Sequence, residues 1–129
     1  MQNKFNHLIN LCKKGIELTK DNVGENMFLV DRGTFQLVIP NDNTDEHGQF
    51  FVYSRTGHDS YGYNSESTHI YHIIEGTGTF IIDGIPYDVK PGDTIFVEVN
   101  KPFTYTGNMI LTFDMYPNFK EENDHVIKK

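Results

Sequence analysis

The hydrophobic positions of the chain change their period once, near residue 25. Before that point apolar residues recur at intervals of three and four positions, as on one face of a short helix: Phe5, Leu8, Ile9 and Cys12. Gly15 follows this stripe and is expected to end the helix, because glycine readily takes the left-handed conformation of a helix C-terminus. Residues 1–24 are therefore predicted to form an N-terminal helix and a linker.

Beyond residue 25 the apolar residues are mostly β-branched or aromatic and come in short runs, which indicates strands. The predicted strands are 27–30, 34–39, 50–54, 69–75, 79–82, 94–99 and 109–116. Asp83-Gly84 is a strong hairpin signal between two of them. No helical pattern intervenes, so residues 25–117 are predicted to form one all-β domain, an antiparallel sandwich or barrel. The mostly charged residues 118–129 are predicted to form a loose tail.

Composition narrows the classes of partner. The 129 residues suffice for one domain with a sizeable core, and seven tyrosines and ten phenylalanines suit a β-rich interior. The formal net charge of −7 disfavours binding to nucleic acid or to an anionic membrane, because both partners are negatively charged. The single cysteine, Cys12, cannot form an internal disulfide, and no apolar run approaches the roughly 20 residues of a membrane span. A soluble cytoplasmic protein is the expectation.

Two glycine-bounded blocks resemble the two sequence motifs of the cupin family. The first family motif is G-x5-H-x-H-x3,4-E-x6-G, and the corresponding residues here are Gly57, Tyr63, Ser65, His69 and Gly76. The second is G-x5-P-x-G-x2-H-x3-N, and the corresponding residues are Gly92, Glu98, Asn100, Phe103 and Gly107. The resemblance covers about residues 50–116. It implies a double-stranded β-helix, which is a jelly-roll barrel, and it also implies a homodimer.

The four positions that hold the metal in this family carry Tyr63, Ser65, His69 and Phe103 in this chain. A catalytic divalent metal needs about three or four converging nitrogen or oxygen donors, and of these four only His69 is a good ligand at neutral pH. We therefore expect neither a metal nor another cofactor. A set of unusual composition, His69 with His58 and Asp59, remains open as an alternative.

The same resemblance, together with strand alternation, predicts which side chains face the barrel lumen. His69 and Tyr71 are expected to point inward, and His72 to point to the other face. The predicted ligand-binding set is Tyr53, Tyr63, Ser65, His69, Tyr71, Phe103 and Tyr105. Flat apolar walls with a few hydrogen-bonding tips suit a small organic ligand such as a sugar or another metabolite.

Three functional hypotheses follow. The leading one is a cupin that binds a small organic molecule without metal. The second is a metal-independent isomerase, epimerase or lyase in which His69 is the general base and Tyr63, or alternatively Tyr105, is the acid. The third is a noncatalytic dimeric protein whose barrel is filled by side chains. In all three, His58 and Asp59 are interpreted as part of a loop turn.

Overall fold

The computed structural model describes residues 3–128, which form two antiparallel sheets. The strands are β1 (Met27–Asp31), β2 (Phe35–Pro40), β3 (Gly48–Ser54), β4 (Tyr61–Asn64), β5 (Thr68–Gly76), β6 (Gly78–Ile82), β7 (Ile85–Val89), β8 (Thr94–Val97), β9 (Phe103–Thr106), β10 (Met109–Tyr116) and β11 (Asp124–Lys128). The larger sheet has the order β1-β2-β3-β10-β5-β8, and the smaller sheet has the order β11-β4-β9-β6-β7. This architecture confirms the predicted all-β jelly-roll fold.

The inner core fills the space between the two sheets. It contains Phe35, Val52, Tyr71, Ile73, Phe80, Val89, Val97, Phe103, Tyr105, Met109 and Leu111. Burial alternates along the first part of β5, where His69, Tyr71 and Ile73 are buried and the residues between them are partly exposed. The alternation predicted for this strand is therefore confirmed, and it follows from the two-residue period of a strand.

An outer core lies on the opposite face of the larger sheet, beneath the N-terminal segment. It contains Phe5, Leu8, Cys12, Leu18, Val23, Val38, Phe51 and Ile110. The segment includes a 3₁₀ turn (Asn3–Phe5), α1 (Asn6–Lys13) and α2 (Lys20–Val23). As predicted, α1 ends just before Gly15, whose φ is 75°. Within residues 3–128, no helix is long and apolar enough to cross a membrane.

Two predicted turns have the expected geometry. Asp83 and Gly84 connect β6 and β7 with φ values of 53° and 81°, as a tight two-residue hairpin requires. Asn100 takes a φ of 64° at the position where the family motif has glycine. Asparagine tolerates this conformation, and so the second motif keeps its backbone shape without the glycine.

The predicted tail was wrong, because residues 124–128 form β11 and pair with the edge of β4. The strand was not predicted because all five residues of β11 are exposed and the run includes charged residues, so it lacks the apolar pattern of a buried strand. Backbone pairing with a sheet edge does not require burial of the side chains. The short strands β4, β7 and β9 were also missed. The seven predicted strands are present, with ends shifted by at most two residues.

Candidate functional site

A cavity of about 360 Å³ opens between the two sheets. Its inner part, here called the aromatic wall, is formed by Phe35, Phe50, His69, Tyr71, Phe103, Tyr105 and Phe113. Its other part, here called the polar end, is formed by Arg32, His58, Asp59, Ser60, Tyr63, Asp124 and His125. The wall is mostly buried, whereas the side chains at the polar end are partly or fully exposed. The polar end is therefore the opening of the cavity.

Tyr71 occupies the centre of the aromatic wall. Its ring centroid lies 4.7 Å from that of Phe113 and 5.7 Å from that of Tyr105. The His69 ring is almost parallel to the Tyr71 ring, and it also lies 5.1 Å from the Phe103 ring. Rings held by several neighbours keep their orientation, so the wall is a preformed surface for a flat ligand.

Three residues of the aromatic wall carry polar groups: Tyr71 and Tyr105 each have a phenolic hydroxyl, and His69 has an imidazole. These residues are 2%, 1% and 8% exposed, respectively. None of their polar atoms is among the buried side-chain atoms without a partner, which within residues 3–128 are Thr34 Oγ1, Asn64 Nδ2 and Thr112 Oγ1. Tyr71, Tyr105 and His69 all line the cavity. A ligand in the cavity can therefore form hydrogen bonds with these three groups.

Burial fixes the charge state of these groups. It raises the pKa of both Tyr71 and Tyr105, and the Asp59 carboxylate raises that of Tyr105 further. Burial also lowers the pKa of His69 to about 4, with a smaller contribution from the charge of His58. At neutral pH the two phenols therefore keep their protons, whereas the His69 imidazole is uncharged.

A tight loop places His58 at the polar end. Gly57 has a φ of 138°, and the backbone N–H of His58 donates to the Tyr105 carbonyl oxygen at 2.9 Å. The His58 ring stacks on Phe35 with 5.3 Å between centroids. An added Cβ on Gly57 would overlap the Tyr105 carbonyl oxygen. Glycine at this position is thus a condition for bringing the His58 imidazole to the cavity.

The hydrogen bonds of His58 indicate its tautomer. Nδ1 lies 2.9 Å from the Ser60 carbonyl oxygen, which can only accept, so this contact requires a proton on Nδ1. The Ser60 backbone N–H lies 3.3 Å from the same nitrogen and favours the opposite tautomer, but the shorter contact is the stronger one. Nε2 then keeps its lone pair and is available to accept a proton.

The C-terminal strand contributes a second pair of polar residues. His125 stacks on Tyr63 with 4.9 Å between centroids, and the two residues are partners in the β4–β11 register. Partial burial raises the pKa of Asp124, whereas His58 and His125 lower it. The negative charge of Asp124 also raises the pKa of Tyr71. Asp124 therefore interacts electrostatically with both ends of the cavity.

Comparisons with known proteins agree with this architecture. The sequence profile of the cupin domain matches residues 50–111. Streptomyces Pac13 superposes with a TM-score of 0.77 at 19% identity, over 80% of this chain and 86% of that chain. The chain is a cupin. No curated protein matches it in sequence.

Other cupin-like structures share the fold. An RmlC-like cupin from Shewanella frigidimarina superposes with a TM-score of 0.62 at 18% identity, over 77% of this chain and 90% of that one. The polyketide cyclase RemF from Streptomyces resistomycificus gives 0.59 at 12% identity, over 83% and 87%. Pac13 is described as a unique nucleoside dehydratase, and its variants have been solved with uridine. Pac13 and RemF are named for activities on small molecules, and at these identities the likeness of all three neighbours to this cupin shows the fold alone.

Five of the seven residues predicted to bind a ligand line the cavity of this cupin: Tyr63, His69, Tyr71, Phe103 and Tyr105. The prediction was wrong for Tyr53 and Ser65. Tyr53 packs against the outer core, because on β3 the inward positions are those of Phe50 and Val52. Ser65 lies in the turn after β4, where its hydroxyl donates to the Asn123 carbonyl oxygen at 3.3 Å.

The structure adds polar residues to the site that sequence reasoning did not assign to it. His58 and Asp59 were interpreted as a loop turn, and they are in a loop, but that loop borders the cavity. Asp124 and His125 were assigned to the tail. The spacing signal for His58 was its position directly after the first glycine of the cupin motif. For the C-terminal pair, the only signal was the short Val126-Ile127 run beside them.

The residues of this cupin do not fit the divalent metal that the family usually holds. At the four family positions, Phe103 has no donor atom and Ser65 lies outside the cavity. Within residues 3–128, no three side chains of His, Cys, Asp or Glu come together in a way that could hold a metal. The alternative set with Asp59 is also disfavoured, because Arg32 Nε and Nη2 both lie within 3.1 Å of its Oδ2. No step is therefore derived through a metal.

Proposed function

We propose that this cupin is a metal-independent lyase that removes water from a small, nucleoside-like substrate bound in the lumen, with His58 transferring the proton. The observation that carries the proposal is a cavity whose aromatic wall includes the polar side chains of Tyr71, Tyr105 and His69 and whose border includes His58. An apolar lining with a few convergent polar groups is typical of a site for a small molecule. The leading sequence hypothesis, a small-molecule lumen, is kept in this proposal.

The chemistry of the lining supports a ligand with a flat ring and hydroxyl groups. The aromatic wall offers faces and edges for stacking on a ring, and its phenols can donate to a carbonyl or hydroxyl oxygen. The neutral His69 imidazole can accept or donate one hydrogen bond. A cavity of about 360 Å³ falls within the usual range for small-molecule sites.

The spacing of three residues supports a nucleoside-like ligand in particular. The three Pac13 variants solved with uridine replace a histidine, a tyrosine 13 positions later and a second tyrosine 34 positions after that. His58, Tyr71 and Tyr105 follow one another at the same two intervals in this chain. All three line the cavity. Equal spacing on a shared fold supports an equivalent arrangement of the two phenols and the imidazole.

His58 is better suited than His69 to transfer a proton at neutral pH. A general base works best when its pKa is close to the working pH, and burial lowers the pKa of His69 to about 4. His58 has its Nε2 lone pair free and lies at the partly exposed end of the cavity. We therefore assign the base to His58 in place of His69, and we assign hydrogen-bond donation to Tyr71 and Tyr105 in place of Tyr63.

The proposed step is an elimination in which atoms and charge balance. His58 Nε2 takes a proton from a carbon next to a carbonyl group, while a Tyr71 or Tyr105 hydroxyl donates a hydrogen bond to the carbonyl oxygen. The electron pair forms a carbon–carbon double bond, and the hydroxyl group on the next carbon leaves. The proton on His58 returns to this leaving group, so that the products are an unsaturated carbonyl compound and one water.

Binding is tested with uridine as the probe. We expect uridine to raise the melting temperature of the wild type, and we expect His58→Gln, Tyr71→Phe and Tyr105→Phe to lose most of this shift. The matched controls are His72→Gln and Tyr53→Phe, whose side chains lie outside the lumen. Equal losses in control and lumen variants would contradict the proposed site.

Catalysis is tested by mass spectrometry on a panel of nucleosides and hydroxylated carbonyl compounds. The expected result is the loss of one water from at least one member, abolished by His58→Gln and retained by His72→Gln. Binding without any turnover across the panel would reduce the lumen to a binding site and would overturn the lyase assignment.

A further inference from the structure

The C-terminal strand β11 is built into the polar end. Asp124, His125 and Val126 pair with Asn64, Tyr63 and Gly62 of β4 in antiparallel register. The backbone N–H of Ser65 donates to the Asn123 carbonyl oxygen at 2.9 Å, just before the strand begins. A Cβ on Gly62 would overlap the His125 carbonyl oxygen, so glycine at this position allows β11 to approach β4 closely.

The lining of the cavity has more unpaired negative charge than unpaired positive charge. Arg32 is the only lysine or arginine that lines it within residues 3–128. The Arg32 guanidinium is already paired with Asp59, with Nη2 2.9 Å from the carboxylate oxygen. No lysine or arginine of the described chain forms an ion pair with Asp124, whose electrostatic neighbours are His58, His125 and Tyr71. The polar end therefore has an unmatched carboxylate and no unengaged guanidinium or ammonium group.

This balance suits one class of ligand. A carboxylate accepts hydrogen bonds from two neighbouring hydroxyl groups, as a sugar diol presents them. A phosphate has no such protons to donate when ionised, and it would face Asp124 without a lysine or arginine to bind it. The net charge of −7 adds a long-range repulsion of the same sign.

We propose that β11 makes the site selective for unphosphorylated, diol-bearing ligands, and that Asp124 is the specificity-determining residue, accepting hydrogen bonds from ligand hydroxyls and repelling phosphate. This inference rests on the proposed function, because it assumes that the same lumen holds a nucleoside-like molecule. It adds that the free nucleoside, and not the nucleotide, is the form that binds.

The test measures dissociation constants of the full chain by calorimetry, for uridine and for uridine monophosphate. We expect the wild type to bind uridine at least about tenfold more tightly than the nucleotide, since one unmatched charge at close range is sufficient for such a difference. Asp124→Asn is expected to weaken uridine binding by about tenfold, because a charged acceptor is lost, and to bring the two constants within about threefold of each other. Glu121→Gln is the control, because Glu121 precedes β11 and does not line the cavity.

The outcomes separate this inference from the proposed function. Equal affinity of the wild type for uridine and its monophosphate overturns the selectivity and leaves the lumen site standing. An unchanged ratio of the two constants in Asp124→Asn overturns the role of this residue alone. Failure of the wild type to bind either compound overturns the nucleoside-like ligand, and with it both proposals. A second variant, Gly62→Ala, is expected to displace β11 and to reproduce the reduced selectivity with Asp124 intact.

Discussion

The hydroxyl of Tyr71 is expected to favour ligand binding without stabilising the unliganded protein. Tyr71 is 2% exposed and packed among aromatic rings, so removing its hydroxyl takes a polar group out of a largely apolar setting. We expect Tyr71→Phe to leave the free energy of unfolding unchanged or to raise it by up to about 1 kcal/mol, while uridine no longer stabilises the variant. Thermal unfolding with and without uridine measures both effects. A variant that is less stable than Tyr53→Phe without ligand would contradict this view of the hydroxyl.

His69, a residue of the lumen, is expected to make the free energy of unfolding depend on pH in the acid range. Its pKa falls from 6.5 to about 4 on folding, mainly through burial, so the unfolded state binds the proton more tightly than the folded state. Its contribution is complete above about pH 6.5 and is lost as the pH falls towards 4, a change of about 3 kcal/mol. We expect His69→Phe to make the denaturation midpoint depend less steeply on pH over this range. An identical slope in His69→Phe would show that other groups cause the acid sensitivity.

Residue-level predictions succeeded where the strand register was known. On β5 the motif fixed the register, so His69 and Tyr71 were placed inside correctly. On β3 the register was not applied, and Tyr53 was assigned to the lumen although Phe51, two residues earlier on the same face, lies in the outer core. A shift of one residue reverses the face of a strand position. The identity of a tyrosine therefore says little about the cavity until its face is known.

At the scale of elements, the loop of residues 56–60 follows β3 of the larger sheet and places His58 at the polar end of the cavity. An alanine at Gly57 meets both an unfavourable φ of 138° and the Tyr105 carbonyl oxygen. We expect Gly57→Ala to destabilise the fold by at least about 2 kcal/mol and to weaken the response to uridine, because His58 moves with the loop. Gly84→Ala is the control: it has a φ of 81° with open space around it, and should cost about 1 kcal/mol without affecting the ligand. Chemical denaturation of both variants, with and without uridine, provides the comparison, and equal costs would contradict the role of the contact.

The strands that were not predicted from the sequence are those with few buried side chains. β7 and β11 are almost wholly exposed, and β4 contains a glycine between two tyrosines. Hydrophobic periodicity reports which side chains are buried, whereas these strands are defined mainly by backbone pairing with a neighbour. Two of the seven residues of the polar end, Asp124 and His125, were not predicted for this reason, because they belong to β11. The aromatic wall, in contrast, could be predicted in part, because it lies on buried strands and the family motif fixes the register of one of them.

At the scale of the whole molecule, the larger sheet separates two cores that share its strands. β3 contributes Val52 to the inner core and Phe51 to the outer core. β10 likewise contributes Leu111 to the inner core and Ile110 to the outer core. The outer core has no part in the cavity, so its role is stability. Detaching α1 would uncover buried side chains on both the helix and the sheet, each contributing about 1.5–3 kcal/mol. The cost is comparable with the stability of a whole domain, which indicates that α1 opens only when the barrel unfolds.

The single cysteine makes this coupling measurable. Burial raises the pKa of Cys12 to about 12, so its thiol should react with a disulfide reagent only after the chain opens. We expect uridine at 100 times its dissociation constant to slow this reaction about a hundredfold, because a ligand in the lumen stabilises the folded state against global opening. In Tyr105→Phe, which is expected not to bind, uridine should leave the rate unchanged. Equal rates with and without uridine in the wild type, under conditions where binding is shown by calorimetry, would mean that α1 detaches alone and that the two cores are not coupled.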